Sequence, residues 1–261
     1  MPKSILYCCL LVLSLSLSAY SQEYLRTDEF CFVAGPVSFR SDYGERNDNA
    51  TNFGNTGFGI GFKYYMHFAQ LNYGVFNDQS YFKQHLKYGA ELSYNKSTLQ
   101  NYGRWVDANH NSLEAQQLKA MKGSTEVIDL GINAQYYPFE ISDFGASFGS
   151  NIAPYIEFGV HLCEYFPKAS SSLGPINTLD VTPAKYLGKI EPKKGITLSL
   201  VWDFGVRYKL SERSDVLADL RFQYYNTDWV DGVRPNPATH PENKANDWLV
   251  WFNVGYVYSL K

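Results

Sequence analysis

Beyond its first 21 residues, the chain lacks any apolar run approaching the ~18 residues of a membrane-spanning helix, so we expect no transmembrane helix there. It also lacks an excess of one charge. Its 23 Lys and Arg against 26 Asp and Glu give a formal net charge of −3, which argues against a nucleic-acid-binding surface. Aromatic residues, in contrast, reach 16%, with 21 Tyr and 17 Phe. This combination is typical of alternating strands with aromatic girdles.

Cysteine is also scarce. Two of the four Cys lie in the first nine residues, which leaves Cys31 and Cys163. Both fall inside predicted strands. A disulfide between them, which an oxidising compartment would permit, is one interpretation; two buried thiols are the other, and we favour the thiols.

The N-terminus predicts a secretory signal peptide over residues 1–21. Lys3 supplies a positive charge, the segment from Ile5 to Ala19 is apolar, and Ala19-Tyr20-Ser21 fits a small-x-small cleavage site. We therefore expect an exported protein whose residues 22–261 form one mature domain.

Strict alternation of apolar and polar residues is the main structural signal. From Ile196 to Leu210 the apolar set, including Trp202 and Tyr208, opposes Asp203, Arg207 and Lys209. A tilted membrane-crossing strand needs roughly 9–11 such residues. The alternation predicts eight strands: Phe30–Phe39, Gly57–Tyr65, His85–Asn95, Val127–Tyr137, Tyr155–Cys163, Ile196–Leu210, Asp215–Tyr225 and Trp248–Leu260. The predicted fold is all-β, an eight-stranded antiparallel transmembrane β-barrel with long extracellular loops, one containing a short helix.

Connection lengths support this topology. A tight turn at 211–214 joins strands six and seven, whereas the connections before strands two, four, six and eight are long and polar. The 69–84 connection is too long for a periplasmic turn and could hold extra strand or a periplasmic hairpin. Asn111 and Glu114 predict a capped helix in the second outer loop. A bend or bulge is expected at Pro36.

The polar faces of the predicted strands carry charges of both signs. Lys63 and Lys87 belong to this set. The other members that we expect in an interior charge network are Glu91, Asp129, Glu157, Asp203, Arg207, Asp219 and Arg221. Buried charges persist only when they are paired, so a structural, salt-bridged lumen is favoured over a proton or ion path.

Two outer loops repeat the tripeptide Trp-Val-Asp. The residues Trp105, Asp107, Trp229 and Asp231 are candidate partner contacts, although the Trp residues would also suit the membrane interface. The segment 107–111 begins like a calcium loop, but Ser112 and Leu118 stand where that motif requires Gly and Glu. We predict no metal site and no cofactor. His85 and His161 are expected on the inner face, and no catalytic group is predicted.

The last strand resembles the C-terminal pattern by which the outer-membrane assembly machinery recognises its barrels. Gly255, Tyr258 and Leu260 carry this resemblance. An edge strand that can pair with the insertase before closure explains the pattern physically.

Residues 35–44 and 52–61 resemble a conserved flavobacterial family of uncharacterised outer-membrane β-barrel proteins of the Bacteroidota. Segments 124–137, 152–161, 208–215 and 228–232 are similar to it too. More remotely, the architecture resembles PorG-type barrels of the type IX secretion system. The resemblance implies no activity and no functional residue.

The first functional hypothesis is a non-enzymatic outer-membrane barrel acting as a structural or accessory subunit of an envelope complex, for secretion or outer-membrane assembly. The alternative is a stand-alone barrel that binds or conducts a small hydrophobic ligand. A third hypothesis is a hydrolase acting on lipid at the outer rim. The expected partners are outer-membrane lipid, the assembly machinery during insertion and other envelope-complex subunits, with no nucleic acid.

Overall fold

The computed structural model describes residues 26–69, 80–146, 149–234 and 245–260. Within them, eight strands pair in chain order and the last pairs with the first, which closes a barrel. The strands are β1 (Thr27–Arg40), β2 (Thr56–His67), β3 (Leu86–Gln100), β4 (Met121–Tyr136), β5 (Ile152–Ser171), β6 (Gly195–Ser211), β7 (Ser214–Tyr225) and β8 (Trp248–Ser259). All neighbouring pairs are antiparallel. The predicted fold class is confirmed. The predicted signal peptide lies outside the described residues.

The barrel wall is apolar outside and charged inside. Ile132 and Leu200 are 71% and 51% exposed on the outer surface, whereas Asp203 and Arg221 are fully buried in the lumen. A barrel in water would bury its apolar side chains and expose its charged ones. The outer face therefore requires a hydrocarbon environment. The alternation therefore specifies a membrane-spanning barrel.

The β1–β8 ladder that closes the barrel has one irregular place. Its register is the same before and after Gly35-Pro36, but the paired residues run only to Ala34 and resume at Val37. A Cβ at Gly35 would lie 1.9 Å from the Phe252 carbonyl oxygen, so only glycine allows this close approach. The irregularity expected at Pro36 is thus a lapse in the ladder without an inserted residue.

The connections differ between the two ends of the barrel. β6 and β7 join through Glu212 and Arg213, while the outer loops are L1 (41–55), L2 (101–120), L3 (172–194) and L4 (226–247). The 137–151 connection is a second long periplasmic one, beside 69–84, and carries a 3-10 helix at Ile141–Asp143. In the 69–84 connection a helix begins at Tyr81, and residues 70–79 lie outside the described residues.

β3, β4 and β5 extend further toward the outer loops than the alternation predicted. β5 has 20 residues and pairs with β4 as far as Met121↔Ser171. Here the outward residues, such as Lys122 and Glu126, face water rather than hydrocarbon, so the apolar period disappears although the ladder continues. The predicted boundary at Val127 was wrong for this reason.

The described parts of the connections contain three short α-helices. They are α1 (Asn49–Gly54), α2 (Tyr81–His85) and α3 (Leu113–Ala120). The helix predicted in the second outer loop is confirmed as α3, but its N-cap is Ser112, whose side chain accepts from the Ala115 N–H at 3.2 Å, and not Asn111. None of the helices in the described ranges is long and apolar enough to cross a membrane.

Charge insertion tests the embedded face. We expect Ile132→Arg to lower the unfolding free energy by about 2–4 kcal/mol, because a charge near the bilayer midplane must leave water. Leu113 on α3 is 61% exposed, and Leu113→Arg is the matched control, with an expected change within about 0.5 kcal/mol. Urea unfolding in lipid vesicles measures both. Equal losses would contradict the assignment of the outer face to hydrocarbon.

Candidate functional site

Five charged side chains form a central ion cluster in the lumen. Arg221 makes paired contacts with both carboxylate oxygens of Glu91 at 2.5 and 2.8 Å, and donates to Asp203 at 3.0 and 2.9 Å. Lys63 Nζ lies 3.0 Å from Glu157 Oε1 and 3.1 Å from Asp203 Oδ2. All five are buried, so each carboxylate exchanges hydration for a charge-assisted hydrogen bond.

A second group of charges lies toward the periplasmic end. Glu29 accepts from Lys87 Nζ at 2.6 Å and from Arg207 Nη1 at 2.7 Å. Arg207 Nη2 also donates to Gln135 at 2.9 Å. The alternation predicted Arg207 and Lys87 in this interior, but Glu29 was missed because the first strand was predicted to begin one residue later.

The two remaining predicted network members meet neutral donors. Asp219 accepts from the Tyr155 hydroxyl and the Asn253 amide, both at 2.7 Å. Asp129 accepts from Gln223 Nε2 at 2.9 Å. The interior ion pairs thus fall into two groups, since Arg207 pairs with Glu29, whereas Asp203 pairs with Arg221. Gln135 links the two groups by accepting from Arg207 and donating to Glu157.

Inside the barrel, a layer of aromatic and aliphatic side chains covers the central ion cluster on the side that faces the outer loops. Trp251 is fully buried, and Arg221 lies 5.2 Å from its ring centre. Phe39 and Tyr225 stack above with ring centres 5.9 Å apart. Large side chains from the strands therefore fill the middle of the barrel.

Cys31 and Cys163 both lie in the lumen as free, buried thiols. The favoured interpretation of two buried thiols is confirmed, and the disulfide is not present. Cys163 Sγ lies 3.1 Å from the Ser199 hydroxyl oxygen, a contact that fixes the thiol within the filled lumen.

Above the lumen, Arg46 of L1 binds three carboxylates of the outer mouth. Its Nη2 lies 3.1 Å from Asp42 Oδ1, 3.1 Å from Asp228 Oδ1 and 3.7 Å from Asp247 Oδ1. Its Nη1 donates to the Asn246 carbonyl at 2.6 Å. One guanidinium thus joins L1 to both ends of L4.

Carboxylates outnumber cations in this cluster. Burial, reinforced by the Asp42 carboxylate, raises the pKa of Asp228 to about 7, and the same two causes raise the pKa of Asp231 well above its usual range. Burial alone would lower the pKa of Arg46, but the carboxylates of Asp247, Asp42 and Asp228 raise it. We therefore expect loop docking to be coupled to proton uptake.

Further contacts join all four loops into one layer, the loop cap (the described parts of L1, L2, L3 and L4). L1 contacts L2 through Arg104 Nη2 and Glu45 Oε1 at 2.9 Å, and L3 through the Tyr186 hydroxyl, which donates to the Asp42 carbonyl at 2.6 Å. L2 meets L3 where Gln117 Nε2 donates to the Leu179 carbonyl at 2.8 Å. L3 meets L4 in a backbone bridge between 190 and 233.

The four predicted partner-contact residues take different positions in this cap. Trp105 and Trp229 are 52% and 38% exposed, with Arg104 and Arg234 stacked on their rings. Asp107 is exposed. Asp231 is fully buried, where its Oδ2 accepts from the Asp42 N–H at 2.9 Å. The tripeptide repeat thus concealed a difference that only the long-range loop contact decides.

The two histidines expected on the inner face are held by hydrogen bonds, but of the two His161 lies in the lumen, whereas the His85 ring stacks on Tyr81 and on the outward-facing Tyr136. His85 Nδ1 lies 2.7 Å from the Tyr137 carbonyl, and His161 Nε2 lies 2.8 Å from Asn133 Oδ1. His85 ends α2 and does not lie within the strand that was predicted to include it. In the described ranges, no group of three or more His, Cys, Asp or Glu side chains is arranged to hold a metal ion.

Of the candidate assembly residues, Gly255 and Tyr258 lie on β8, the closing strand, and Leu260 follows its last residue. Gly255 faces the lumen, where a Cβ would lie 2.7 Å from a Val33 methyl, so a side chain there would displace the β1 core. Tyr258 and Leu260 face outward and are exposed. Their role in assembly stays a prediction.

No protein-family model matches the chain, and neither does any curated protein. Among solved structures, it is similar to a major outer membrane protein from Thermus thermophilus (13% identity, 89% of this chain and 99% of that chain, TM-score 0.47). It is also similar to neisserial surface protein A (14%, 88% and 96%, 0.42) and to Ail of Yersinia pestis in complex with sucrose octasulfate (9%, 90% and 99%, 0.42). Such likenesses carry no inference about function, and the relation to Bacteroidota barrels stays a prediction.

Removal of one central cation tests the lumen network. We expect Arg221→Ala to lower the unfolding free energy by about 3–5 kcal/mol, because Lys63 is then the one cation of the cluster and faces three carboxylates, those of Glu91, Glu157 and Asp203. Arg213→Ala in the exposed β6–β7 turn is the control, with a change within about 0.5 kcal/mol. Urea unfolding followed by tryptophan fluorescence measures both. A loss of under 1 kcal/mol for Arg221→Ala would contradict the importance of the cluster.

The docking of L4 should depend on pH. The docked Asp228 has a pKa of about 7, above its ordinary value. Its contribution to the free energy of L4 docking is therefore present in full below about pH 4 and is lost as the pH rises through 7. Hydrogen exchange of residues 226–234, corrected for intrinsic rates, should therefore show less protection at pH 8 than at pH 5. Asp228→Asn stays neutral and should reduce this dependence. An unchanged profile in that variant would contradict the assignment.

Proposed function

We propose that this protein is a non-enzymatic outer-membrane β-barrel that acts as a structural or accessory subunit of an envelope complex and binds its partner through the loop cap. The single observation that carries the proposal is the union of a filled lumen with four loops fixed to one another above it. A barrel filled in this way offers its outer surface, and not its interior, for interaction.

The filled lumen weighs against the alternative of a barrel that passes a hydrophobic ligand through its centre. The inner charges at mid-height are paired at 2.5–3.1 Å, and an apolar molecule would have to separate them. Breaking a buried ion pair costs about 3–5 kcal/mol, and an apolar ligand offers no compensating charge.

The loop cap supports protein binding because its contacts fix its conformation in advance. Binding to loops that are already ordered avoids much of the entropy that ordering would cost. Exposed on the cap are Trp105, Leu113 and Leu179, of which Leu179 is 73% exposed. Aromatic residues such as Trp105 are enriched among the side chains that dominate binding energy at protein interfaces.

We further propose export to the outer membrane and insertion by the assembly machinery. The outward apolar belt supports a membrane location. Insertion by the assembly machinery is supported by the position of β8, which closes the barrel by pairing with both β1 and β7. The proposed role in secretion or in outer-membrane assembly rests on the resemblance to flavobacterial and PorG-type barrels.

Gentle detergent extraction from the native membrane, followed by affinity capture of this chain, tests the proposal. We expect stoichiometric protein partners with the wild type, and their loss with Trp105→Ala/Leu179→Ala. Phe139→Ala is the matched control, because Phe139 is an aromatic residue 65% exposed at the periplasmic end. A clean monomer at every detergent strength would contradict the proposal, as would partners retained equally by both variants.

A further inference from the structure

The outward face of β3, β4 and β5 carries a cationic patch above the apolar belt, formed by the Lys96, Lys122 and Lys168 side chains. Lys96 Nζ and Lys168 Nζ lie 3.1 and 3.4 Å from the same oxygen, Glu126 Oε1. Both lysines are more than half exposed, while Glu126 is 25% exposed. One carboxylate is thus shared by two ammonium groups, and donor capacity remains for a further anion.

The neighbouring charges leave this patch positive. Lys122 lies four residues outward of Glu126 on β4 and faces water. The other carboxylate on this face is Glu164, whose residue pairs with Ile128, nearer the hydrocarbon. The three lysines therefore outnumber the two glutamates. The excess positive charge lies toward the outer loops, at the level of the lipid headgroups.

Below this patch, an apolar groove of about 670 Å³ extends across the outer wall from β2 to β6. Its floor is Ala90 and Ala134, small residues on β3 and β4 that face outward. Larger side chains stand around them: Tyr64, Tyr88, Phe158 and Trp202. Such a groove in the outer wall, inside the apolar belt, suits an alkyl chain.

The spacing between the patch and the groove matches a membrane lipid. Lys96 and Ala90 are six residues apart on β3, which is about 20 Å along the strand. At a strand tilt of about 40°, this corresponds to about 15 Å of depth, half of the ~30 Å hydrocarbon core. A chain that starts below the lysines therefore reaches the groove within one leaflet.

We infer that β3, β4 and β5 form a binding site for a net anionic, phosphate-bearing lipid of the outer leaflet, whose phosphate contacts Lys96 and Lys168 and whose acyl chain occupies the groove over Ala90 and Ala134. The charge of the patch is complementary to phosphate, and the lysines act as point charges that such groups accept. The site is independent of the loop cap, so it stands whether or not a protein partner binds there.

Lipid binding by the mature chain in phosphatidylcholine nanodiscs doped with diphosphoryl lipid A tests the inference, with native mass spectrometry of the released protein as the readout. We expect saturable retention of lipid A by the wild type. Lys96→Gln/Lys168→Gln should bind at least about tenfold more weakly, since one lost charge-assisted hydrogen bond has that size. Lys193→Gln is the control, because Lys193 is also exposed and paired with a glutamate, at 3.2 Å.

Two further variants separate the headgroup and the chain. Glu126→Gln frees both lysines and should strengthen retention. Ala134→Phe fills the groove and should weaken it, whereas Ala218→Phe makes the same change on the outer face of β7, outside the groove, and should not. Migration on gels with and without heating confirms that each variant is folded.

Three results would overturn the inference. Retention unchanged in the double lysine variant would exclude the patch, and an equal loss in Lys193→Gln would reduce it to general attraction between charges. A wild-type dimer that Ala134→Phe converts to monomer without loss of lipid A would mean that a second copy of the chain occupies the groove.

Discussion

The pairing of β1 with β8 is the interaction on which the rest of the structure depends. In hydrocarbon an unbonded backbone N–H or C=O costs several kcal/mol, so a sheet that spans the bilayer must have no free edge. Closing eight strands makes a barrel whose interior is just wide enough for side chains. Within the hydrocarbon, the alternation then directs the charged side chains of the wall into that interior, where charges persist only as pairs. Closure, polarity of the lumen and pairing of Arg221 with Glu91 and Asp203 are consequences of one constraint.

Under the proposed function, the same constraint places the binding surface on the outside of the barrel. Ion-paired side chains fill the lumen, and the closed wall positions the described parts of L1 to L4 above it. Arg46 holds these loops together, since its one side chain joins both ends of L4 to L1. The neighbouring carboxyl groups outnumber this cation, so their pKa values are raised. The long strands β3 to β5 add a second outer surface, which presents lysines above the level of the hydrocarbon.

The parts of this arrangement that repeat locally could be predicted from the sequence. Period-two alternation, clearest from Ile196 to Leu210, was sufficient for the strand number, the fold and most lumen charges, because wall orientation depends only on parity. The alternation could not find the outer extension of β4 and β5, since both faces there meet water or loops. It could not separate Asp231 from Asp107 either, and it missed the contact between Arg46 and Asp228, whose residues are 182 positions apart. Such contacts depend on loop paths that leave no periodic trace.

Single-channel recording in planar bilayers tests the central claim, a closed and filled barrel, most directly. The paired charges and the aromatic layer at Trp251 predict an electrically silent membrane after insertion of folded wild-type protein, with insertion verified independently by heat-modified gel migration of the recovered protein. Stable, reproducible conductance steps that scale with the amount of inserted protein would contradict a filled lumen, and with it the assignment of function to the outer surfaces.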